Sequence, residues 1–360
     1  MSVRDEVTRL AGELGFTAVR FTTVGLTPSI DHYDRWLAAG HDADMAWLRR
    51  GREVRGDPRV RLEGARGVVV LGMEHHHVRP PDPGGRTGMV ARYAWGRDYH
   101  NLMGKRLRKL RKRLRDVGVD SWGGVDTAPI LERGWANAAG LGFSGKNCVQ
   151  ILPGRTSWMM LAVLFVDADV GVDPALGDHC GTCTRCLTAC PTDAFAAPHV
   201  LDSRRCIAYW TIESDGMPPP DLRPGFGRWV FGCDVCQEVC PHNTRPPDCD
   251  EADFAPRHAW LDLDELLTTP DRALEERFVG TPIRRAAPVR LKRNALIVMG
   301  NLGDDGGVDA ARRGLVHASP VVRAAAVWAL ARLGDLAVLD LTDPSALVAD
   351  EVQAARARPW

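Results

Sequence analysis

The chain has 360 residues, 45% of them hydrophobic, which is enough to build the cores of two or three globular domains. Its 46 basic and 46 acidic residues give a formal net charge of zero, so any binding of nucleic acid must depend on a local patch rather than on a global field. Ten cysteines without an apolar secretory signal over Met1–Arg9 argue against a disulfide framework and predict metal ligation in the reducing cytoplasm.

Residues 1–170 are predicted to form an α/β domain. Val3–Leu14 and His100–Val117 have the spacing of amphipathic helices. Short apolar or β-branched segments are typical of strands, namely Thr17–Val24, Gly67–Met73, Asn147–Leu152 and Ser157–Val166. The last of these is the longest apolar run without a charge, but it has only about half the length of a membrane-spanning helix, so we expect a buried strand.

Residues 171–250 differ from the preceding region because they hold nine of the ten cysteines among many Gly and Pro. Such a segment cannot build a large apolar core, so we expect metal ligation to organise it. Residues 251–360 are rich in Ala, Leu and Arg and are predicted to be helical. Two segments, Arg293–Asp304 and Arg323–Asp335, end in the same Leu-Gly-Asp, 31 residues apart. This spacing indicates either a HEAT-type helical repeat or two ordinary amphipathic helices.

Eight cysteines follow the spacing of bacterial ferredoxins with two [4Fe–4S] clusters. Cys180–Pro191 has the pattern C-x₂-C-x₂-C-x₃-C-P, and Cys233–Pro241 ends a second set that begins at an isolated Cys206. Three cysteines of one loop can ligate one cube, whereas the fourth, on the following helix, points towards the neighbouring cube. We therefore assign Cys180, Cys183, Cys186 and Cys240 to one cluster and Cys190, Cys206, Cys233 and Cys236 to the other.

The alternative for this segment is a pair of Cys₄ zinc sites, which need only paired C-x₂-C knuckles. The third cysteine and the Cys-Pro of each set favour iron–sulfur clusters. Cys148 and Cys249 fall outside both sets and are interpreted as free thiols.

No nucleotide signature explains the large domain before the cysteines, since the chain has neither a G-x-G-x-x-G nor a P-loop. Asp98–Gly104 comes within one residue of the D-x-H-x-x-G box of corrinoid proteins, but its glycine is out of place, and Asp98 is predicted to cap a helix. Two basic segments, Lys105–Arg115 and Arg277–Arg293, are candidates for phosphate contacts. A charged helix is also commonly a solvated face, so both interpretations stay open.

Six motifs carry a resemblance to a known family. They occur in one order, without visible gaps, between about Arg55 and Gly303, and they closely resemble the epoxyqueuosine reductase family. The segments are Arg92–His100, Val125–Arg133, Gly140–Asn147, Leu201–Tyr209, Gly232–Gln237, and Gly280–Arg285 with Lys292–Ala295. Val235 departs from the pattern, because the family more often has an acidic residue there.

The resemblance implies an α+β fold in three parts. These are a nitroreductase-like α/β cobalamin domain at 1–170, a ferredoxin-like domain with two [4Fe–4S] clusters at 171–250, and a helical HEAT-like domain with a tRNA contact at 251–360. It further implies that the protein removes the epoxide oxygen from epoxyqueuosine in the anticodon loop of tRNA, using base-off cobalamin for the difficult chemistry. A low-potential electron donor, no membrane partner and a monomeric state are expected with it.

Asp126 is the residue that we expect to donate the proton, because it matches the catalytic acid of the family. It follows a strand-like stretch of Gly, Ser, Trp and Val, where desolvation is expected to raise the pKa of its carboxyl group. The alternative role is to cap the turn at Thr127–Pro129. By the same resemblance, the candidate contacts to the corrin are Arg55, Tyr93, Gln150 and Tyr209, together with Asp126 itself.

Two other functions share parts of this pattern. A cytoplasmic corrinoid reductive dehalogenase would have the same cluster module and cofactor class, but such enzymes usually carry an export signal and lack the basic helical C-terminus. A non-catalytic electron-transfer subunit that docks through helical repeats would need neither the Asp126 motif nor the large α/β domain. The absorption spectrum of a bound corrin would separate the second alternative, and activity on tRNA would separate the first.

Overall fold

The computed structural model describes residues 2–357. The helices are α1 Val3–Glu13, α2 Ile30–Ala38, α3 Ala46–Arg49, α4 Arg52–Gly56, α5 Tyr99–Asp116, α6 Glu132–Ala138, α7 Arg185–Thr188, α8 Ile207–Ile212, α9 Val235–Glu238, α10 Leu263–Thr268, α11 Asp271–Arg277, α12 Ala287–Leu302, α13 Val308–Gly314, α14 Pro320–Arg332 and α15 Ala346–Arg356. The strands are β1 Ala18–Thr23, β2 Gly67–Glu74, β3 Thr87–Val90, β4 Ser121–Gly124, β5 Phe143–Ser144, β6 Gln150–Ile151, β7 Met159–Val166, β8 Phe195–Ala197, β9 Val200–Leu201, β10 Trp229–Phe231 and β11 Trp260–Asp262. Within residues 2–357, no helix has the length and apolar composition that crossing a membrane requires.

A four-stranded antiparallel sheet forms the centre of the N-terminal region, in the strand order β1-β2-β7-β4. Its strand β2 is buried along its whole length because its sequence is a continuous apolar run. Side chains alternate along a strand, so Val69 and Leu71 pack with α1 and α5 on one face, whereas Val68 and Val70 pack with α6 on the other. The sheet is thus covered by helices on both faces, as the mixed α and β pattern predicts.

The two helices predicted in residues 1–170 are confirmed as α1 and α5, and three of the four predicted strands are confirmed as β1, β2 and β7. The predicted strand over Asn147–Leu152 is wrong for most of its length, since only Gln150 and Ile151 pair with β5. Cys148 has left-handed backbone (φ 62°), and its amide donates a hydrogen bond to the carbonyl of Gly145 across 2.8 Å. The segment therefore begins as a tight turn.

A second, three-stranded sheet contains one strand from each of the three predicted domains. Its order is β10-β3-β11, with β3 and β10 parallel and β3 and β11 antiparallel. Buried residues around it, including Trp95, Phe231 and Leu261, belong to the same apolar core as α12, α14 and α15. The domain boundaries at 170 and 250 stay predictions, and segments from all three parts contribute to this one core.

The two segments that end in Leu-Gly-Asp lie in α12 and α14, which pack directly against each other. A Cβ on Gly300 of α12 would lie 2.6 Å from the ring of Trp328 in α14, so a larger residue there would force the two helices apart. Gly303 and Gly334 follow these helices with φ values of 66° and 81°, the left-handed conformation that commonly ends a helix. Both repeated segments therefore adopt a helix with a glycine stop.

A buried ion pair fixes the last helix to the middle of the chain. Arg223 donates to both carboxylate oxygens of Glu351 at 2.6 and 2.9 Å, and the two side chains are only 2% and 7% exposed. The Arg223 guanidinium also lies over the ring of Trp328. Two charges withdrawn from water in this way depend on each other, because either one left alone would be a buried uncompensated charge.

Removing one partner of this pair is expected to destabilise the fold strongly. Glu351→Ala should lower the free energy of unfolding by about 3–5 kcal/mol, because the Arg223 charge would remain buried without a counterion. Thermal or urea unfolding measures this change. The matched control is Asp340→Ala, which removes an exposed ion pair with Arg356 at 3.8 Å and should cost at most about 1 kcal/mol. Equal effects of the two substitutions would contradict the proposed importance of burial.

Candidate functional site

Asp126 lies two residues after β4, at a sharp turn of the chain. Its φ is 54°, an uncommon value for a residue with a side chain, and the Thr127 amide donates to the carbonyl of Val125 across 2.5 Å. This conformation directs the carboxylate towards the start of α5, while 64% of the side-chain surface remains exposed. The carboxylate does not accept a hydrogen bond from the backbone of the turn, and its two hydrogen-bond donors within residues 2–357 lie on α5.

Three side chains at the start of α5 complete a hydrogen-bonded chain with Asp126. The hydroxyl of Tyr99 donates to Asp126 Oδ2 at 2.8 Å, and Nε2 of His100 lies 3.0 Å from the same oxygen. On its other side, Nδ1 of His100 lies 2.7 Å from Asp98 Oδ1. An imidazole with a carboxylate at each nitrogen is best satisfied when both nitrogens carry a proton. Asp98 also accepts from the His100 amide at 2.9 Å, which confirms its predicted role as a helix cap.

The expected rise in the pKa of Asp126 is wrong. Burial alone would raise this pKa, but the hydrogen bonds from His100 and Tyr99 lower it by more, so the carboxyl group is more acidic than usual. For His100, burial lowers the pKa, and the hydrogen bonds to Asp126 and Asp98 outweigh it and raise the pKa to about 9. At neutral pH the site therefore holds an imidazolium next to a carboxylate, and the mobile proton is on His100.

Two further ionisable side chains lie close to Asp126. Burial, followed by the charge of Asp126, raises the pKa of Tyr93 well above its usual value, and its ring packs edge-on against Tyr99 at 6.1 Å. Burial and then the charge of Asp126 raise the pKa of Glu132 to about 7. Oε1 of Glu132 is buried without a hydrogen-bond partner among the described residues. The site thus offers one acceptor that is ready for an incoming donor.

Of the other predicted corrin contacts, Arg55 lies beside the loop that carries Asp126. A Cβ on Gly51 would lie 3.1 Å from Cβ of Pro129 and 3.5 Å from Nη1 of Arg55, so these groups share one small space. The Arg55 guanidinium donates to the carbonyl of Arg50 at 3.3 Å. The structure therefore brings Tyr93 close to Asp126 and places Arg55 beside Pro129, three residues further along the same loop.

Gln150 and Tyr209 make their contacts elsewhere. Gln150 is 3% exposed, donates from Nε2 to the carbonyl of Leu141 at 2.7 Å, and leaves its buried Oε1 without a partner among the described residues. The hydroxyl of Tyr209 donates to Asp44 Oδ1 at 2.7 Å, which ties α8 to the loop before α3. The sequence therefore predicted two corrin contacts, Gln150 and Tyr209, that do not contact Asp126. It did not predict that Tyr99, His100 and Glu132 lie beside Asp126. Tyr99 and His100 fall within Asp98–Gly104, the near-match to the corrinoid box, and that motif could have indicated them.

The first group of four cysteines surrounds a cavity of about 230 Å³, lined also by Lys146, His179 and His242. Burial, and then the neighbouring thiols Cys180 and Cys240, raise the pKa of Cys186. The amide of Lys146 lies 3.5 Å from Sγ of Cys180, as a donor to this sulfur. The structure brings together the four cysteines assigned to one cluster, which are Cys180, Cys183, Cys186 and Cys240.

The second group lies deeper in the protein. Burial, and then the charges of Cys206, Asp234 and Cys190, raise the pKa of Cys233 well above its usual value. Cys236 interacts with Cys206 and Cys233 and also with Cys186 of the first group, so the two groups are neighbours. A Cβ on Gly232 would lie 3.7 Å from the ring of Tyr93, which places the second group next to the Asp126 site.

Two of the ten cysteines belong to neither group. Outside the two groups, Cys249 donates from Sγ to the carbonyl of Glu74 at 2.9 Å, and Cys148 lies close enough to Cys206 to influence its pKa after burial does.

Helix α5 presents an unneutralised basic face. Arg106 pairs with Glu251, and Arg111 donates to the carbonyl of Ser121 at 2.7 Å. The leucines of the predicted apolar stripe, Leu107, Leu110 and Leu114, are buried against the sheet. The remaining cations are exposed and have no ion-pair partner within residues 2–357; they are Lys105, Arg108, Lys109, Lys112, Arg113 and Arg115.

The second basic segment is only partly at the surface, so the predicted phosphate contact at Arg277–Arg293 is wrong for Lys292 and Arg293, which are buried, and stays a prediction for the others. Arg293 is fully buried and donates to the carbonyls of Ser214 at 2.7 Å and Gly216 at 2.6 Å. Lys292 is 5% exposed and pairs with Asp271 at 2.6 Å. These side chains hold α12 against the preceding segment. The exposed cations of the segment are Arg277, Arg284 and Arg285.

Three family models match the chain. They are "Epoxyqueuosine reductase QueG, DUF1730" over residues 55–127, "4Fe-4S double cluster binding domain" over residues 179–243 and "HEAT repeats" over residues 282–357. The last match favours the repeat interpretation of α12 and α14 over two unrelated helices. The second match supports iron–sulfur clusters at the two cysteine groups.

The chain is also similar to complete proteins. An epoxyqueuosine reductase of Xanthomonas campestris pv. campestris is 40% identical over 338 residues, which cover 90% of this chain and 94% of the relative. The structure of an epoxyqueuosine reductase with an epoxyqueuosine-modified tRNA-Tyr stem loop matches with a TM-score of 0.91 at 27% identity, covering 98% of this chain and 97% of that one. The Bacillus subtilis enzyme, whose catalytic aspartate loop is swung out of the active site, matches with a TM-score of 0.85 at 26% identity over 98% of both chains. These matches favour the resemblance over the dehalogenase and electron-transfer-subunit alternatives.

The grouping of the cysteines predicts the iron content of single substitutions. Cys183→Ala and Cys236→Ala should each lose about four of about eight irons per chain, because each removes one ligand of a different cube. Iron analysis and electron paramagnetic resonance of anaerobically purified protein measure this loss. The matched controls Cys148→Ala and Cys249→Ala should keep about eight irons. Loss of a cluster in either control would overturn the assignment.

Proposed function

The chain belongs to the epoxyqueuosine reductase family, and we propose that the site around Asp126 holds cobalamin and delivers protons to the epoxide oxygen of epoxyqueuosine in a tRNA anticodon loop. The observation that carries this proposal is the hydrogen-bonded chain Asp98–His100–Asp126 beside the deeper group of cysteines. Reducing an epoxide to an alkene consumes two electrons and two protons, and the oxygen leaves as water. The site combines a proton store with a nearby electron path.

The residues around Asp126 fit a corrin, whose rim carries amide side chains that donate and accept hydrogen bonds. Oε1 of Glu132 is a buried acceptor without a partner among the described residues, and the hydroxyl of Tyr93 and the guanidinium of Arg55 lie near the same loop. Gln150, with its own unpartnered Oε1, is a further candidate acceptor. When bound, cobalamin supplies a strongly nucleophilic reduced cobalt and accepts electrons singly. Asp126 and Tyr93 would face it from the protein side.

The proton is held by His100 and delivered by Asp126. At neutral pH Nε2 of His100 carries the proton and lies 3.0 Å from Oδ2 of Asp126, whose side chain is 64% exposed. Transfer along this hydrogen bond places the proton on Asp126, from which the epoxide oxygen takes it as its C–O bond breaks. Asp98 remains ionised behind His100 and stabilises its positive charge before the transfer. Asp126 thus acts as the acid although its own pKa is low.

Electrons enter at the first cysteine group and leave from the second. The first group lies near the protein surface, whereas the second is deeper and adjoins Tyr93. A low-potential donor would dock over the first group and reduce the clusters one electron at a time. The protein would act as a monomer in the cytoplasm.

The tRNA backbone follows the basic face of α5. The first residues of this helix, Tyr99 and His100, contact Asp126, and its exposed cations run from Lys105 to Arg115, about 15 Å along the helix at 1.5 Å per residue. Lys and Arg side chains attract phosphates and release counterions when these bind. An anticodon loop at Asp126 would therefore place its stem along this face.

Replacing the acid tests the proposed function directly. Asp126→Asn keeps the shape but cannot carry the proton, so single turnover of a tRNA with epoxyqueuosine by prereduced enzyme should slow by about a hundredfold or more. Cluster content and cobalamin content should match the wild type. The control Asp116→Asn, at the exposed end of α5, should keep the wild-type rate. A wild-type rate in Asp126→Asn would remove this residue from the mechanism, and lost cobalamin would recast it as a cofactor contact.

The same assay has a predicted pH dependence. The pKa of His100 in the folded protein is raised to about 9, so the imidazole keeps its proton at neutral pH and loses it as the pH rises through about 9. The wild-type rate should fall as the pH rises through that value. His100→Gln should be slow at neutral pH and should not show this fall.

Neutralising the face of α5 should weaken tRNA binding. Lys109→Gln, Lys112→Gln and Arg115→Gln together should lower the affinity and make the dependence of log K on log salt less steep, by about 0.7–0.9 per lost phosphate contact. Fluorescence anisotropy with tRNA at several salt concentrations measures both quantities.

The matched control removes three exposed cations that also lack an ion-pair partner within residues 2–357, namely Arg61, Arg257 and Arg313. This triple Gln variant changes the net charge equally and should leave the salt dependence unchanged. Equal losses of affinity in both triple variants would show that net charge, and not the face of α5, determines binding.

A further inference from the structure

A tryptophan and an arginine from distant parts of the chain stack on each other near Asp126. The guanidinium carbon of Arg285 lies 5.3 Å from the ring centroid of Trp47, which belongs to the short helix α3. Trp47 is partly exposed, and the Arg285 side chain is 56% exposed. We propose that this pair is a stacking platform for a base that flanks the modified nucleoside, an inference that rests on the proposed function.

The position of the pair relative to Asp126 follows from contacts on both sides. The charges of Asp126 and Tyr93 both act on Arg285, after the stronger effects of its hydrogen bonds to Glu213 and of burial. On the other side, a Cβ on Gly51, two residues after α3, would touch Cβ of Pro129 in the loop that follows Asp126. Arg285 therefore lies close to Asp126, and the segment that carries Trp47 lies against the loop that follows Asp126.

An ion pair holds the guanidinium in a suitable orientation. Glu213 accepts from Nε of Arg285 at 3.1 Å and from Nη2 at 2.8 Å, so both bonds are made along one edge of the planar group. The flat faces of the guanidinium are left for stacking, and one of them lies over Trp47. The side chain is thus fixed before any ligand arrives, which reduces the entropy lost on binding.

The substrate needs such a surface. Chemistry at Asp126 requires the modified nucleoside to leave the stack of the anticodon loop, and this deprives the neighbouring base of a stacking partner. Proteins that bind single-stranded RNA supply the missing partner with aromatic rings or arginine planes. A partly exposed indole under a guanidinium is a surface of this kind, and the positive charge also favours the phosphate between the two nucleotides.

The test is a cycle that changes the protein and the RNA together. With the wild type, replacing the flanking nucleotide of an epoxyqueuosine stem loop by an abasic one should weaken binding about tenfold, the scale of one base stacked on an aromatic ring. Trp47→Ala should bind the intact stem loop about tenfold more weakly than the wild type does. Its affinity for the abasic RNA should be only slightly lower than its affinity for the intact one. Trp47→Phe, which retains an aromatic face, and Arg285→Lys, which retains only the charge, should fall between these limits.

Two matched controls separate stacking from a structural clamp. Trp260 is also partly exposed and lies under Arg228 at 4.9 Å, and Arg312 is 54% exposed and paired with Asp335. In Trp260→Ala and Arg312→Ala, the abasic stem loop should bind about tenfold more weakly than the intact one, as it does with the wild type. If Trp47→Ala and Trp47→Phe also showed this full difference between the two RNAs, the proposal would be overturned. A loss of bound cobalamin in Trp47→Ala without any change in RNA coupling would also overturn it, because the ring would then contact the corrin. Wild-type enzyme that does not turn over the intact modified stem loop would instead count against the proposed function.

Discussion

The site depends on how the run Gly96–His100 is fixed between two parts of the chain. The amide of Asp98 donates to the carbonyl of Gly280 at 2.7 Å, and a Cβ on Gly96 would lie 2.3 Å from the carbonyl oxygen of Asp253. These backbone contacts tie the start of α5 to the C-terminal region independently of the side chains of the site. Asp98 then caps α5 and orients His100 with the same carboxylate. The same short run therefore fixes the start of α5, the orientation of the His100 imidazole and the contact with the C-terminal region.

The distribution of arginine explains how a chain of zero net charge can still recognise a polyanion. Many of its guanidinium groups make contacts within the protein, either because they are buried, as in Arg293, or because they pair with a carboxylate, as in Arg223. Buried or paired cations contribute little to the attraction of phosphate, because their counterions are part of the protein. The exposed cations of α5 lack such partners within residues 2–357. The two basic segments thus differ in how many of their cations remain exposed and unpaired.

Sequence reasoning succeeded where the signal is local. The period of apolar residues predicted β2 and α5, and the spacing within one loop predicted that Cys180, Cys183 and Cys186 lie together. It failed where a property depends on residues far apart in the chain. The pKa of Asp126 is set by Tyr99 and His100, 27 and 26 residues earlier, and no local pattern contains that contact. The burial of Arg293 likewise arises from carbonyls about eighty residues away.

The position of Asp126 on an exposed turn connects proton transfer with movement of its loop. Its side-chain bonds to Tyr99 and His100 hold the turn against α5, and the bond to His100 is charge-assisted while the imidazole is protonated. In the proposed reaction the proton leaves through Asp126, so His100 becomes neutral and this bond weakens towards an ordinary hydrogen bond. In a structure of the similar Bacillus subtilis enzyme, its own catalytic aspartate loop is swung out of the active site. The hydrogen bond between Asp126 and His100 is therefore strongest before proton transfer and weakest after it. The loop that carries Asp126 is held least firmly at the stage when the product must leave.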